Sequence, residues 1–524
     1  MSLILLISIV LLICYFISHR LSPEPDPREP PVISPQPPII GHLLGLLKHQ
    51  VFYFEKLAAR SSTPVFSIWI FKYKIHIIAD PNMISAMHRH SSPSFDPIII
   101  AIAESIVGDS PNVLRLMHDP PPGAKETNHY MVDTHASLHE SVVPGPGLWE
   151  MNRRVLRKVT DIVNVIGSEF EEKTLWYWLW DSFTKATSEA LFGFHHPLVK
   201  DSSLVQAVWE FDESQTTTML VSRAVQYFLP SAGRMFVAQS RLRTAFKEFY
   251  SDPEKYNHPS VSALAKKRME ANLKHDVPMN ETGNAAHSLL FVATTNAVPT
   301  IFWFLLLLFS KPAVVTELQI NLEESGIVSF IGTKEGKRKM RIDHTKFYEK
   351  CPLLISAYNE AMRLTNIQSG TRVILEDFML GAGAGEDQDQ KRQGYLLKKG
   401  SLLTTPARIT HLSQEVWGDD VAEFKPERWQ NLTKMQKRAF IPFGGGKHLC
   451  PGRDFAFAEI VGTMAVMLLG FDVVGMDGEA IKLPEGNEMK FGVAGPDEEG
   501  KTMKVKIRRR VGWEDVIWEF GAMD

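Results

Sequence analysis

Phe443-Gly444-Gly445-Gly446-Lys447-His448-Leu449-Cys450-Pro451-Gly452 presents one cysteine on a glycine-shaped loop that leads into an apolar helix around Phe455 to Val461. That arrangement suits a thiolate that binds a metal. Glycines at 444, 445, 446 and 452 permit backbone angles closed to other residues and let the main chain pass close to a flat ligand, with Phe443 as an apolar wall. Amide donors after Cys450 and the positive end of the following helix are expected to lower the thiol pKa and keep it anionic. Pro451 has no N–H, so Gly452 and Arg453 are the expected donors. A buried structural cysteine in a glycine-rich turn is the alternative.

Other spacings on the chain place charge and polarity. Glu360 and Arg363 lie three apart within a helical stretch from Leu353 to Leu364, so both sit on one face and can pair, or simply form a solvated helix face. From about Ala285 to Ser310 the chain reads as one long helix, apolar almost all round, of the kind buried in a large core or in a membrane. At its middle stand Thr294, Thr295 and Asn296. Pro299 cannot donate to the carbonyl of Thr295, so a kink and a freed carbonyl are expected there, a place to hold a water or dioxygen. The plain alternative is polar side chains satisfied by the backbone four residues back. Ser369 to Ile374 reads as a short strand entered through Gly370, and 394–400 with 402–406 as two more joined at a glycine turn.

The decapeptide matches, at every defining position, Phe-Gly-x-Gly-x-(Arg or His)-x-Cys-x-Gly, and the chain on these residues resembles the cytochrome P450 family. The resemblance implies a mainly α fold: a single large helical domain with a small β region and an N-terminal membrane anchor helix. It makes Cys450 the proximal thiolate ligand of haem b (iron-protoporphyrin IX), a ligation that pushes electron density towards O–O cleavage. His448 falls where the family puts a basic residue facing a haem propionate, and Arg372 where it commonly puts a propionate-gripping arginine. Phe424-Lys425-Pro426-Glu427-Arg428-Trp429 resembles the family's Pro-x-Arg segment, whose arginine completes a buried structural triad, here Glu360, Arg363 and Arg428. Trp149 and Arg153 match the Trp-x-x-x-Arg that binds a propionate in many relatives. The corresponding helix could instead lie earlier, near His129 to Val132, leaving 149–153 as helix-surface charge over a Trp stem.

At the distal helix the chain departs from the common pattern. The usual acid before the threonine is missing, since neither Asp nor Glu occurs between Glu281 and Glu317. The Asn-x-x-Pro followed by Phe-Trp resembles the branch with the bile-acid and oxysterol 7α-hydroxylases and prostacyclin synthase. Asn296, with Thr294 and Thr295, is the candidate distal contact. The implied function is a monooxygenase that oxidises a lipophilic small molecule, a terpenoid, polyketide or steroid-like secondary metabolite, with O2 and with electrons from an NADPH-dependent flavoprotein reductase. The alternatives are a haem-thiolate isomerase or dehydratase acting on a peroxide without reductase, and a non-catalytic haem protein.

Chain-level properties set the surroundings. Across 524 residues, 57 Lys and Arg face 60 Asp and Glu, a balance that argues against a nucleic-acid partner. Three cysteines, Cys14, Cys351 and Cys450, make no disulfide framework and suit a reducing compartment, with Cys351 a small packing residue at a helix start. Leu3 to Ile17 is an uncharged apolar run followed by His19-Arg20, short for a membrane of about 30 Å but lacking the basic start and cleavage site of a signal peptide. Residues 1–20 are therefore expected as a transmembrane anchor in membrane lipid and 21–45 as a Pro-rich hinge. Residues 46–524 form the catalytic domain, on the cytosolic face of the endoplasmic reticulum as the resemblance implies. The half of the chain before residue 280 singles out no substrate ligand.

Overall fold

The structure is a computed structural model that describes residues 26–34, 41–118, 130–219, 230–381, 394–484, 487–488 and 492–522. The expected anchor (1–20), with Cys14, lies outside the described residues. Of the expected spacer, 26–34 and 41–45 are described, and residues 30–33 run along the body: Ile33 N–H donates to the Ser67 carbonyl (2.9 Å) and Ser67 N–H to the Pro31 carbonyl (2.8 Å).

The small β region holds β1 (Val65–Ile70), β2 (Tyr73–Ile78), β3 (Pro93–Ser94), β4 (Arg372–Ile374) and β5 (Leu402–Thr404), in the order β1-β2-β5-β4-β3. Tyr395–Leu397 pairs instead with Phe378–Leu380. The two strands expected on either side of Gly400 therefore belong to different sheets. His76 joins β2 to the start of β5 from inside, with Nδ1 2.8 Å from Ser67 Oγ and Nε2 3.0 Å from Ser401 Oγ.

The rest is mainly helical. The helices that frame the interior are α1 (Asp96–Ile102), α2 (Tyr130–Val142), α3 (Pro146–Asn164), α4 (Leu175–Phe192), α5 (Met279–Thr294), α6 (Ala297–Phe309), α7 (Pro352–Thr365) and α8 (Arg453–Gly470). Pro146 and Pro352 open α3 and α7 at positions where a missing N–H costs nothing. Cys351 is fully buried at the start of α7, the small packing role its position suggests.

The long apolar helix expected over 285–310 is two helices. Residues 279–309 are long and apolar enough to cross a membrane, yet 78% of the apolar window is buried inside the protein, and every residue of α6 is buried. This is a core element. The break falls at Thr295–Asn296, before Pro299 rather than at it, because Pro299 sits in the first turn of α6 and cannot supply an N–H to the Thr295 carbonyl.

The Glu360–Arg363 pair on α7 is wholly buried. Arg363 Nε and Nη2 donate to the two Glu360 oxygens, each at 2.8 Å, while Nη1 reaches the His411 carbonyl and Nη2 the Val421 carbonyl, both also at 2.8 Å. Arg428 Nε (3.2 Å), Trp429 Nε1 (2.9 Å) and Lys425 N–H (3.3 Å) complete the donors on Glu360. The solvated-face alternative does not apply. Removing one partner of a buried pair costs roughly 3–5 kcal/mol because the other charge stays behind unpaired. Arg363→Ala is expected to lower the melting temperature sharply and to give no haem-loaded protein; a variant purified with full haem content would count against the triad.

Four of the buried histidines among the described residues are held strongly neutral. Burial pushes His76 and His411 down to about 3 and His196 and His287 to about 4. His411 Nε2 accepts the Ile441 N–H at 3.0 Å, which requires an unprotonated nitrogen. In the unfolded chain these groups protonate near the ordinary value of 6.5, so between about pH 6.5 and pH 4 the unfolded state binds more protons. The contribution is complete above that window and is lost as pH falls through it. Melting temperature should therefore drop steadily on acidification from pH 6.5 to 4, and a flat profile would contradict the neutral assignments.

Candidate active site

A cavity of about 750 Å³ lies between the Cys450 loop and the α5–α6 break. Of the residues singled out from the sequence, Cys450, Phe443, Gly444, Gly452, His448, Arg372 and Asn296 all reach it. The loop is shaped as its glycines suggest at two positions: Gly444 (φ +72°) and Gly446 (φ +64°) take left-handed angles. A Cβ on Gly446 would also stand 2.6 Å from the His88 carbonyl oxygen, so this glycine seats the loop on the segment behind it and does not line the cavity. Gly452 takes an ordinary φ of −80°. Its contribution is its amide.

Cys450 N–H donates to the Phe443 carbonyl (3.0 Å), closing the loop on itself. The amides of Gly452 and Arg453 and the charge of Arg453 favour the thiolate, as anticipated, but burial outweighs them and the thiol pKa is raised rather than lowered. Backbone donors alone do not hold this sulfur anionic. A metal cation would, since a coordinating thiol is deprotonated outright. Among the described residues no group of three or more His, Cys, Asp or Glu could hold a metal ion. A metal at Cys450 must therefore bring its other ligands with it, as a macrocycle does.

The rim supports the same ligand. Arg372 is 6% exposed, its Nη1 donates to the Thr371 carbonyl (2.8 Å), its guanidinium lies 5.4 Å over the Phe95 ring, and among the described residues it makes no ion pair. Burial lowers its pKa to about 10, so it is still a cation at neutral pH. A buried cation that makes no salt bridge, with only the more distant charge of Asp96 acting on it, fits a carboxylate-bearing ligand. His448 differs from the expected basic residue. Burial, and then Arg372, push it down to about 4, and its Nε2 accepts the Phe95 N–H at 3.1 Å. It is neutral, and its free Nδ1–H is a donor without charge.

The distal side also departs from expectation. Thr294 Oγ1 donates to the Leu290 carbonyl (2.6 Å) and Thr295 Oγ1 to the Phe291 carbonyl (3.0 Å). Both hydroxyls are spent on the preceding turn, and neither residue lines the cavity. Asn296 alone of the three does so, because it stands at the break. Its Oδ1 accepts the Val493 N–H (3.2 Å), which leaves the amide N–H2 as the free end.

Trp149 and Arg153 do not reach the cavity. The buried stripe of α3 runs through Leu148, Met151, Val155 and Val159, so positions 149 and 153 fall on the opposite face. Trp149 is 61% exposed, and Arg153 donates twice to Glu150 at 2.9 Å in solvent. Two lining residues were not anticipated: His135 and His139 on α2, the helix that begins at the alternative position. Their four-residue spacing was the available signal. Gly492 and Val493 were also missed, since nothing local in the sequence announces a segment that packs against residue 296.

The cytochrome P450 family model matches residues 30–501. The chain is 31% identical to a cytochrome P450 monooxygenase of Gibberella zeae over 97% of its own length and 94% of the relative's. It is 26% identical to the cytochrome P450 monooxygenase nodJ of Hypoxylon pulicicidum, covering 94% and 92%. A human 7-alpha-hydroxycholest-4-en-3-one 12-alpha-hydroxylase is 22% identical over 89% of this chain and 90% of its own.

The approach of Gly492 to Asn296 gives a direct test. A Cβ on Gly492, at φ +142°, would stand 2.1 Å from Asn296 Oδ1. Gly492→Ala should displace the amide and, like Asn296→Ala, lower kcat/KM by about tenfold, the loss of roughly one hydrogen bond; turnover undiminished from the parent in both variants would remove Asn296 from the site.

Proposed function

The chain belongs to the cytochrome P450 monooxygenase family, and from that membership we propose that it is a membrane-anchored haem-thiolate enzyme that oxidises a lipophilic secondary metabolite. The observation that carries this reading is the buried Arg372 guanidinium, without a salt bridge among the described residues, at the rim of the cavity that the Cys450 thiol also lines. The substrate is of terpenoid, polyketide or steroid-like type. Electrons come from an NADPH-dependent flavoprotein reductase, and the chain is held at the endoplasmic reticulum by residues 1–20 with 21–45 as the link, leaving 46–524 on the cytosolic face. The relatives in two fungi and the hydroxylase of a steroid skeleton support the substrate class.

Haem held by a thiolate supplies the activation of dioxygen, from which one oxygen atom enters a C–H bond and the other leaves as water. The protein's residues do the rest. Cys450 would hold the iron, Phe443 and Gly444 would lie against the macrocycle, Gly452 would direct its N–H at the sulfur, and Arg372 and His448 would hold a carboxylate. Glu360, Arg363 and Arg428 fix the wall behind the loop and take no part in chemistry. Above the ligand, Leu289, Val292, Ala293 and Ala297 make an apolar surface that excludes water and accepts a hydrocarbon skeleton. Asn296, its oxygen already engaged, offers N–H to an oxygen atom of the substrate and so sets which carbon faces the iron.

Two measurements test this. The reduced carbonyl complex is expected to show the Soret band of thiolate-ligated haem; a band of the histidine-ligated type would sink the Cys450 assignment. Membranes supplied with reductase and candidate lipids should form product only with both NADPH and O2. Turnover of a peroxide without NADPH would replace the monooxygenase reading by that of an isomerase or dehydratase.

A further inference from the structure

We propose that His135 and His139 of α2, rather than Trp149 and Arg153 of α3, receive the second carboxylate of the haem; this rests on the haem-thiolate reading above. Haem b carries two carboxylates, and the cavity rim offers one buried guanidinium, Arg372. Lys447 also lines the cavity, but its Nζ already donates to the Ser91 carbonyl (2.9 Å). The Trp149–Arg153 pair expected on α3 is turned to solvent.

The two imidazoles stand four residues apart, one turn of helix, on the face of α2 that lines the cavity. They continue the rim that Arg372 and His448 begin. The Phe95 ring lies under Arg372, its N–H is taken by His448 Nε2, and the next residue, Asp96, brings Oδ1 to 4.0 Å from His135 Nε2. That Asp96 oxygen is buried and makes no hydrogen bond. Burial pushes the His135 pKa down and Asp96 pulls it back only in part, so the ring is neutral; with no hydrogen bond holding Nε2–H to Asp96, the Nδ1–H tautomer is available to donate to an incoming carboxylate. His139, one turn on, supplies a second donor. Imidazoles thus do on α2 what a Trp and an Arg would do elsewhere.

The test is haem retention by the full-length holoprotein, read as the rate of haem transfer to excess apomyoglobin. His135→Ala/His139→Ala is expected to lose haem at least about tenfold faster than the parent, the effect of losing the two imidazole donors to a carboxylate. Trp149→Ala/Arg153→Ala should leave the rate unchanged, and His139→Arg in the His135→Ala background should restore retention. Should the double alanine variant not accumulate as holoprotein, His135→Gln and His139→Gln singly keep the side-chain volume and are expected to be intermediate. An unchanged rate in the α2 variants, or faster loss from the α3 variant, overturns the proposal. The carbonyl Soret band reads Cys450 ligation and is expected to stay of thiolate type in every variant, so failure of the α2 assignment and failure of the haem-thiolate reading give different results.

Discussion

The buried Glu360–Arg363 pair is the interaction on which the placement of the thiol depends. An ion pair out of water is sustained only when its remaining donors and acceptors are also met. Here they are met by backbone from two separate stretches, the carbonyls of His411 and Val421, and by Arg428 and Trp429 side chains. Meeting them ties the end of α7 to the irregular chain that leads to the cysteine. From His411 the connection continues directly, because its Nε2 receives the Ile441 N–H, two residues before Phe443. Asn366 and Gln368, just after α7, donate to the Pro442 and Ile441 carbonyls at 2.9 and 2.8 Å. A loop of glycines and turns is thereby held by groups that have nowhere else to bond.

What the sequence makes legible here is what is local. The cysteine loop reads correctly because glycine angles and a lone thiol are properties of neighbouring residues. The helix break at Asn296 is nearly legible: Pro299 announces it, but the break moves three residues upstream because a proline is welcome in a first turn and unwelcome in a third. The exposed placement of Trp149 and Arg153 is not legible from their spacing, because four residues serve a solvent face as well as a cavity face. The apolar stripe of α3 is the information that separates the two. Strand partners are not legible, since the three-residue strands on either side of Gly400 find mates far apart in sequence. Neither is the net direction of the Cys450 pKa, which burial decides and which only the packed structure reveals.

The distal side is defined by economy of polar groups. Two threonine hydroxyls are consumed by their own helix, and one asparagine oxygen is consumed by Val493. What is left facing the cavity from this stretch is a single amide donor. Its aim is fixed from behind by chain held in turn by Trp303, whose Nε1 donates to the Ala494 carbonyl at 2.6 Å, and by the Ile367 N–H on the Gly492 carbonyl at 2.8 Å. Selectivity at such a site comes from matching one acceptor to one donor, with apolar surface around it.

The run of residues 30–33 along β1 carries a mechanical consequence. Glu29 is paired with Lys74 and Lys398, and Leu396 N–H donates to the Arg28 carbonyl at 2.8 Å, so the leash is clamped to the sheet from Arg28 onward. Only the residues between Ile17 and Arg28 separate the clamp from the apolar segment, a reach of about 35 Å at full extension. Were residues 1–20 the membrane anchor proposed above, the β1 edge would stay within that radius of the lipid surface and the same flank would face it.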